Sequence, residues 1–385
     1  MTVAALTVVF VAVFDFFAMG VAAPVAQLDL TGSSRGAELI VALFATTYAA
    51  GLLTGGVLGD RYGRRRVLAA GIAGYVVCCV LCATAPTEGM LLAGRLLQGL
   101  TAAVMVPPAF ATISRASAGG GTRLAAALGG ASVTGQVLGA VSTSAGAWRV
   151  LFVAEVAIGV VALATVRAMP AGAPLVRRHP DPLGLLLGLL VPLSFLAPLA
   201  MVRLSDGDPL LLLISLAALP LAVAYRSRLR RVIGRRRRLV FTGWRPLLAA
   251  AGTGAAYAGQ TLLTLGATTH LREQHQDTLI LATYGASFAV VSLAGAGLLH
   301  RSPRSFGLAG IMLAAAGAAL LLGGEVGPVA PLAMCGAAMG MMLPSLVASA
   351  LGGAAPGSAS RASGFLATSQ QLAVATAAAA AGWLL

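Results

Sequence analysis

Gly56-Val-Leu-Gly-Asp60-Arg61-Tyr-Gly63-Arg64-Arg65-Arg66 is the stretch that organises this chain. It packs five charges and two turn-permitting glycines between two long apolar runs, 37–59 and 67–85. Each run is near the ~20 residues that carry a helix through a hydrocarbon layer about 30 Å thick. Gly56 and Gly63 allow a tight turn and close helix contact. Asp60 suits the positive end of a neighbouring helix, because the macrodipole favours an anion there. Arg61, Arg64 and Arg65 are placed to pair with Asp60 and hold that face of the molecule shut, as a gate.

The same alternation continues outward in both directions. Hydrophobic residues make up 58% of the 385 positions and charged residues 10%, against about 25% charged in a soluble domain. In lipid the backbone must satisfy its own hydrogen bonds, so recurrent apolar runs must be helices. Thirteen spans are expected: 4–27, 37–59, 67–85, 89–113, 122–146, 149–169, 183–203, 208–225, 246–269, 278–299, 304–324, 327–351 and 361–385. They group into an N-terminal six-helix bundle (1–169), a central two-helix hairpin with a basic loop (170–245), and a C-terminal bundle of five helices (246–385).

The net charge of +14 is carried wholly by arginine; there is no lysine. Four arginines (Arg35, Arg149, Arg203, Arg272) fall on one side, Arg95 lies inside a span, and the rest occupy alternate loops on the other side. This is the positive-inside pattern, so it marks a membrane topology and not a nucleic-acid surface. It puts the N-terminus in the cytoplasm and, with an odd count, the C-terminus outside. The first span has no basic leader and runs to full length, so it reads as a retained anchor. The run at 226–238 reads as a loop that fixes topology against anionic lipid. Gly51/Gly55, Gly135/Gly139 and Gly336/Gly340 have the small-xxx-small spacing that brings membrane helices close together.

Few residues in the spans carry chemistry. Arg95, with Gln98 and Gly99 in Leu91-Leu-Ala-Gly-Arg95-Leu-Leu-Gln98-Gly99, costs about 2.5–3.5 kcal/mol to insert, so it needs a partner or a cavity. Asp15 stands nine residues before Pro24 in the first span, and Glu155 is a second acid, nearer the outer end of its span. A carboxyl away from water favours its neutral form and a wet one its anion. Alternating exposure therefore makes Asp15 the first candidate for proton coupling, Glu155 the second, and Arg95 their modulator. Cys78, Cys79 and Cys82 read as lipid-buried thiols, not a metal site. The histidines lie in loops or at span ends. No phosphate-binding loop, serine elbow or paired-carboxylate site is visible, which excludes ATP as the energy source and points away from an enzyme.

These motifs resemble the major facilitator superfamily. The 56–66 stretch is similar to its loop signature, and the Arg95 segment to its fourth-helix motif. Asp15 to Pro24 resembles the first-helix motif of the fourteen-helix drug:proton antiporter branch, with Phe17 and Gly20 at substituted positions. Gly135-Gln136-Val-Leu-Gly139 is similar to the fifth-helix antiporter motif, with Gln136 where proline is usual. Trp148-Arg149 through Phe152, Glu155, Ala157 and Gly159 resembles the sixth-helix motif. Asp181-Pro-Leu-Gly184 is similar to the opening of the branch's central hairpin, and Arg361-Ala-Ser-Gly364 through Gln371 to its thirteenth helix; the fourteenth has no counterpart.

The resemblance implies an all-α major facilitator fold whose two bundles give alternating access. It implies proton-coupled efflux of small lipophilic or cationic drugs, with no cofactor beyond the proton gradient and no metal. It further implies an inner (plasma) membrane monomer whose partners are a small-molecule substrate, protons and lipid. Asp60 is expected beside the helix that begins near Arg361. Proton-driven uptake of a small polar solute, or a transport-dead sensor or scaffold, are the alternatives.

Overall fold

The computed structural model describes residues 2–33, 36–113, 120–167, 218–233, 243–273, 280–295, 303–323, 327–353 and 359–384, with isolated residues between 183 and 216. Among them every regular element is a helix. The first six are α1 (Thr2–Thr31), α2 (Ala37–Tyr62), α3 (Arg64–Ala83), α4 (Glu88–Ile113), α5 (Gly120–Ser144) and α6 (Arg149–Arg167). After them come α7 (Ala218–Ile233), α8 (Trp244–Glu273), α9 (Leu281–Ala294), α10 (Pro303–Gly323), α11 (Val329–Gly352) and α12 (Ala359–Leu384). Of the expected span 183–203 only isolated residues are described.

One expectation is corrected. The run from Arg226 does not begin a loop: α7 starts at Ala218 and continues through it to Ile233. Arginine is a good helix former, and the one proline, Pro220, sits in the first turn, where no intrahelical N–H is lost.

Gly63 makes the turn between α2 and α3 at φ 89°, a conformation that strains any residue with a Cβ. α1 packs on α5, α2 on α4, and α3 on α4 and α6. The pattern then recurs: α8 packs on α12, α9 on α11, and α10 on α11. Thus α8–α12 repeat the arrangement of α1–α5. The two units meet reciprocally, α2 on α12 and α5 on α9, with α1 on α8 near the pseudo-axis.

Lipid gives helices no hydrophobic reason to associate, so close backbone contact must do it. A Cβ on Gly55 would collide with the Ala103 carbonyl of α4, and one on Gly99 with the Phe44 carbonyl of α2. Gly135 and Gly139 lie on the α1 backbone at Phe14 and Ala18; Gly336 and Gly340 lie on α9 at Tyr284 and Phe288. The outer faces are apolar too, with Val77, Val153, Val161, Ile311 and Met312 exposed. Among the described residues, five helices are long and apolar enough to cross a membrane by length and composition alone: α1, α3, α4, α6 and α11. Apolar residues on both the inside and the outside are what a bilayer solvent requires.

Candidate functional site: a buried charge cluster beside an aromatic and amide interface

α1 brings Asp15 to the middle of the first bundle, fully buried. Both of its carboxylate oxygens accept from Arg95 of α4: Nη1 to Oδ1 at 2.5 Å and Nη2 to Oδ2 at 3.1 Å. Arg95, also buried, gives its Nε–H to the Ile40 carbonyl of α2 at 3.1 Å and shares Nη1 with Gln98 Oε1 at 2.7 Å. The guanidinium carbon lies 4.4 Å from the ring centre of Phe44 and 5.9 Å from that of Phe152, where the ring faces attract a cation.

Gln98 passes the network on. Its Nε2 donates to Glu155 Oε2 of α6 at 2.7 Å. The same oxygen accepts from the Tyr75 hydroxyl at 3.1 Å and the Cys79 thiol at 3.2 Å, both on α3. Glu155 Oε1 is buried with no partner among the described residues. The cluster therefore joins α1, α2, α3, α4 and α6 through two acids and one base. Arg95 is committed to Asp15; Glu155 accepts from the neutral donors Gln98, Tyr75 and Cys79, and the Asp15 carboxyl lies close to it.

Glu155 lies in the half of α6 nearer Arg149 and belongs to one network with Asp15 and Arg95. One expectation is corrected: the thiols are not lipid-facing. Cys78, Cys79 and Cys82 are buried in protein, and Cys79 touches an acid that lies far away in sequence. Among the described residues no group of three potential ligands is placed to hold a metal.

The α6 motif acts at successive turns of one face. Trp148 donates to Asp29 Oδ2 at 3.1 Å, and Arg149 to the same oxygen at 2.7 Å and to the Ala85 carbonyl at 3.0 Å. Gln27 Nε2 donates to Glu88 at 2.8 Å close by. These bonds tie the ends of α1, α3, α4 and α6 at the side assigned to the exterior. Deeper along α6, Phe152 lies under Arg95, Glu155 closes the network, and Gly159 admits Val76 of α3. At the opposite end Arg65 Nη2 donates to the Arg167 carbonyl at 2.6 Å, capping α6. Of the expected gate, the side chains of Gly56, Asp60, Arg61 and Arg361 lie outside the described residues.

A second polar set lies between the two units. Gln136 of α5 has its stem against Gly285 of α9, where an added Cβ would approach within 2.6 Å. Gln260 sits on α8 between Tyr257 and Thr264, on the face that meets α1: the Tyr257 ring lies 5.0 Å from that of Phe16, tilted by 52°, and Thr264 touches Gly20. Phe17 bridges the two regions, lying 5.1 Å from Phe16 and 5.8 Å from Phe288 of α9. Both amide atoms of Gln136 and of Gln260 are buried without a partner among the described residues, as is Oε1 of Gln371 on α12. A buried polar group left so costs about 1–3 kcal/mol.

A family model described as the Major Facilitator Superfamily matches residues 5–378. The chain belongs to that superfamily. It is thus a multi-pass membrane protein of a transporter family, not of an enzyme family. The chain is 35% identical over 184 residues to a probable actinorhodin transporter of Streptomyces coelicolor, covering 45% of this chain and 32% of that one. It is 31% identical over 192 residues to the methylenomycin A resistance protein of Bacillus subtilis, covering 48% and 41%. The chain thus spans less than half the length of these curated relatives. Its fold overlays the xylose transporter XylE from E. coli with a TM-score of 0.63 at 13% identity, covering 100% of this chain and 92% of that one.

Sequence reasoning missed Tyr75 and Cys79 as partners of Glu155, and Tyr257 and Gln260 at the interface. The signals were there as faces: Tyr75, Cys79 and Cys82 recur at helical spacing, as do Tyr257, Gln260, Thr264 and Thr268.

Proposed function

We propose that this chain exports small lipophilic compounds by alternating access, driven by protons, with its N-terminus in the cytoplasm and the plasma membrane as its site. The observation that carries the reading is the buried Asp15–Arg95–Gln98–Glu155 network next to the interface between the units. Three ionisable groups that share a net negative charge need one more positive charge when dry. A proton is the species the surroundings leave for that role. Arg95 already answers Asp15 at both oxygens, so the geometry favours Glu155 as the acid that takes and releases the proton, and Asp15–Arg95 as the fixed pair beside it. The names of the relatives, a probable actinorhodin transporter and a methylenomycin A resistance protein, support export over uptake. The arginine asymmetry supports the orientation.

The test is a proteoliposome assay with an internal pH indicator and a panel of neutral and cationic aromatic compounds. Wild type is expected to move protons against compound. Glu155→Gln keeps acceptors for Gln98 and Tyr75 but cannot titrate, so it should retain compound exchange and lose proton movement. Asp15→Asn separates the two acids. If Glu155→Gln exports uphill at the wild-type rate while Asp15→Asn does not, Asp15 is the carrier. A protein that moves nothing in the panel overturns the transport reading itself.

A further inference from the structure

We propose that Tyr75 and Cys79 of α3 are positioning residues for Glu155: with Gln98 they fill its Oε2, so that the coupling proton binds at Oε1. This deepens the export reading above and rests on it.

Gln98 is oriented by its neighbour. Its Oε1 accepts from Arg95 Nη1 at 2.7 Å, so its Nε2 faces Glu155 and donates to Oε2 at 2.7 Å. Tyr75 gives its hydroxyl to the same oxygen at 3.1 Å, and Cys79 its thiol at 3.2 Å. A carboxylate oxygen has two lone pairs, and three donors already converge on this one. A proton placed there would have to evict a donor. Oε1, by contrast, is buried with no partner among the described residues. The Asp15 carboxyl lies close to Glu155, ready to accept from the hydrogen that Oε1 carries. Arg95 meanwhile holds Asp15 at both oxygens. One O–H bond forms at Oε1 when the proton arrives from water, and the same bond breaks when it leaves.

The sequence builds this arrangement from two helix faces. Tyr75 and Cys79 are four residues apart, so one face of α3 presents both. Glu155 and Gly159 share that spacing on α6, and a Cβ added at Gly159 would stand 2.5 Å from Val76. The bare glycine lets α6 settle on α3 closely enough for a phenol and a thiol to reach the carboxylate. Tyr75, Cys79 and Glu155 are fully buried, so bulk water does not compete for these bonds. Among the described residues, the titratable or charged groups that face Glu155 are Asp15 from α1, Arg95 from α4, and Tyr75, Cys79 and Cys82 from α3. α5 brings none over 124–144. Tyr75 and Cys79 are neutral donors, so they aim the carboxyl without cancelling its charge. The proton keeps that task.

The test is infrared difference spectroscopy of the full chain in lipid membranes, stepped between acid and alkaline pH. Wild type should show a protonated-carboxyl C=O band that vanishes at alkaline pH and is absent from Glu155→Gln. With the proton at Oε1, the C=O oxygen is Oε2, and its three hydrogen bonds lower the stretching frequency. Tyr75→Phe and Cys79→Ala each remove one donor, so both should move the band to higher frequency. Cys79→Ser returns a donor and should move it back. The Cys79 S–H stretch, identified by its loss in Cys79→Ala, should shift with the same pH step, because its acceptor changes from an anion to a neutral carbonyl. Monodisperse elution in detergent confirms that each variant is folded; the wild-type S–H shift and the Cys79 variants decide if Tyr75→Phe is not. A Glu155 band that stays in place in the folded Tyr75→Phe and Cys79→Ala variants overturns this inference and leaves the export reading intact. So does an S–H band that ignores the pH step while the Glu155 band responds. If the pH-dependent band survives in Glu155→Gln, or no carboxyl band responds to pH, Glu155 is not the carrier, and both this inference and that assignment fail.

Discussion

Arg95→Met should be among the most damaging single changes in the first unit, and its effect should depend on Asp15. The guanidinium is 1% exposed and serves two carboxylate oxygens, the Ile40 carbonyl and Gln98 Oε1. Methionine keeps much of the packing against Phe44 but leaves Asp15 with no counter-ion. Removing one member of a buried pair costs about 3–5 kcal/mol, chiefly through the stranded charge. Asp15→Asn should cost less, about 1.5–3 kcal/mol, because the amide oxygen, Ile40 and Gln98 still accept from Arg95. The double variant Asp15→Asn/Arg95→Met strands no charge, so it should cost no more than Arg95→Met alone. The shortfall from additivity is then about 1.5–3 kcal/mol, within the range measured for residues in contact. Denaturant titration in detergent, followed by labelling of the fully buried thiols Cys79 and Cys82, reads all four proteins on one scale. Strictly additive costs would refute the coupling, and with it the claim that Arg95 is there for Asp15.

Two other outcomes follow from close contacts. Gly99→Leu should prevent α4 from seating on α2, because its first added carbon collides with Thr47 and the Phe44 carbonyl; loss of the folded, monodisperse protein in detergent checks this, and normal yield would contradict the packing. Gly285→Val should press on the Gln136 stem at the interface and slow compound exchange in proteoliposomes, while leaving the unfolding midpoint of the first unit within about 0.5 kcal/mol of wild type; an unaltered exchange rate would show that α5 and α9 do not stay together during transport.

The helical layout was legible because membrane insertion writes it into composition. A bilayer demands about 20 apolar residues per crossing, and arginine marks the loops on one side. Twelve of the expected spans overlap a helix. The one clear departure, α7 running through Arg226–Arg231, arose because helix propensity and membrane depth are separate properties, and hydropathy reads only the second. The charged residues of the site were legible for a related reason. A charge at membrane depth is costly enough that Asp15, Arg95 and Glu155 stand out singly. Their partners did not stand out. Tyr75 and Cys79 cost little to bury, so nothing in their identity marks them, and only the fold brings α3 against α6. Gln136 stood out only by its place in the fifth-helix motif, and Gln260 not at all. A lone amide is a common helix-packing group, and its lack of a partner is a property of three-dimensional surroundings that no local pattern encodes.

α1 is the element that makes one machine of the two sites. Successive residues on a helix point about 100° apart, since 3.6 residues complete a turn. Asp15 therefore faces Arg95 of α4, Phe16 faces Tyr257 of α8, and Phe17 lies toward α5 and α9. Any change in the Asp15–Arg95 contact that rotates or shifts α1 must move Phe16 and Phe17 at the interface as well. The converse holds too: a guest between those rings bears on α1 and so on the charge cluster. Gly135 and Gly139 seat α5 directly on the α1 backbone, so Gln136 travels with it. A ligand can shift a conformational equilibrium only by as much as its affinities for the two states differ. With the rings and Gln136 tied to α1, a guest that prefers one rotation of this helix also prefers one arrangement of the acids. On the export reading proposed above, that shared preference is the physical form of coupling between proton and substrate.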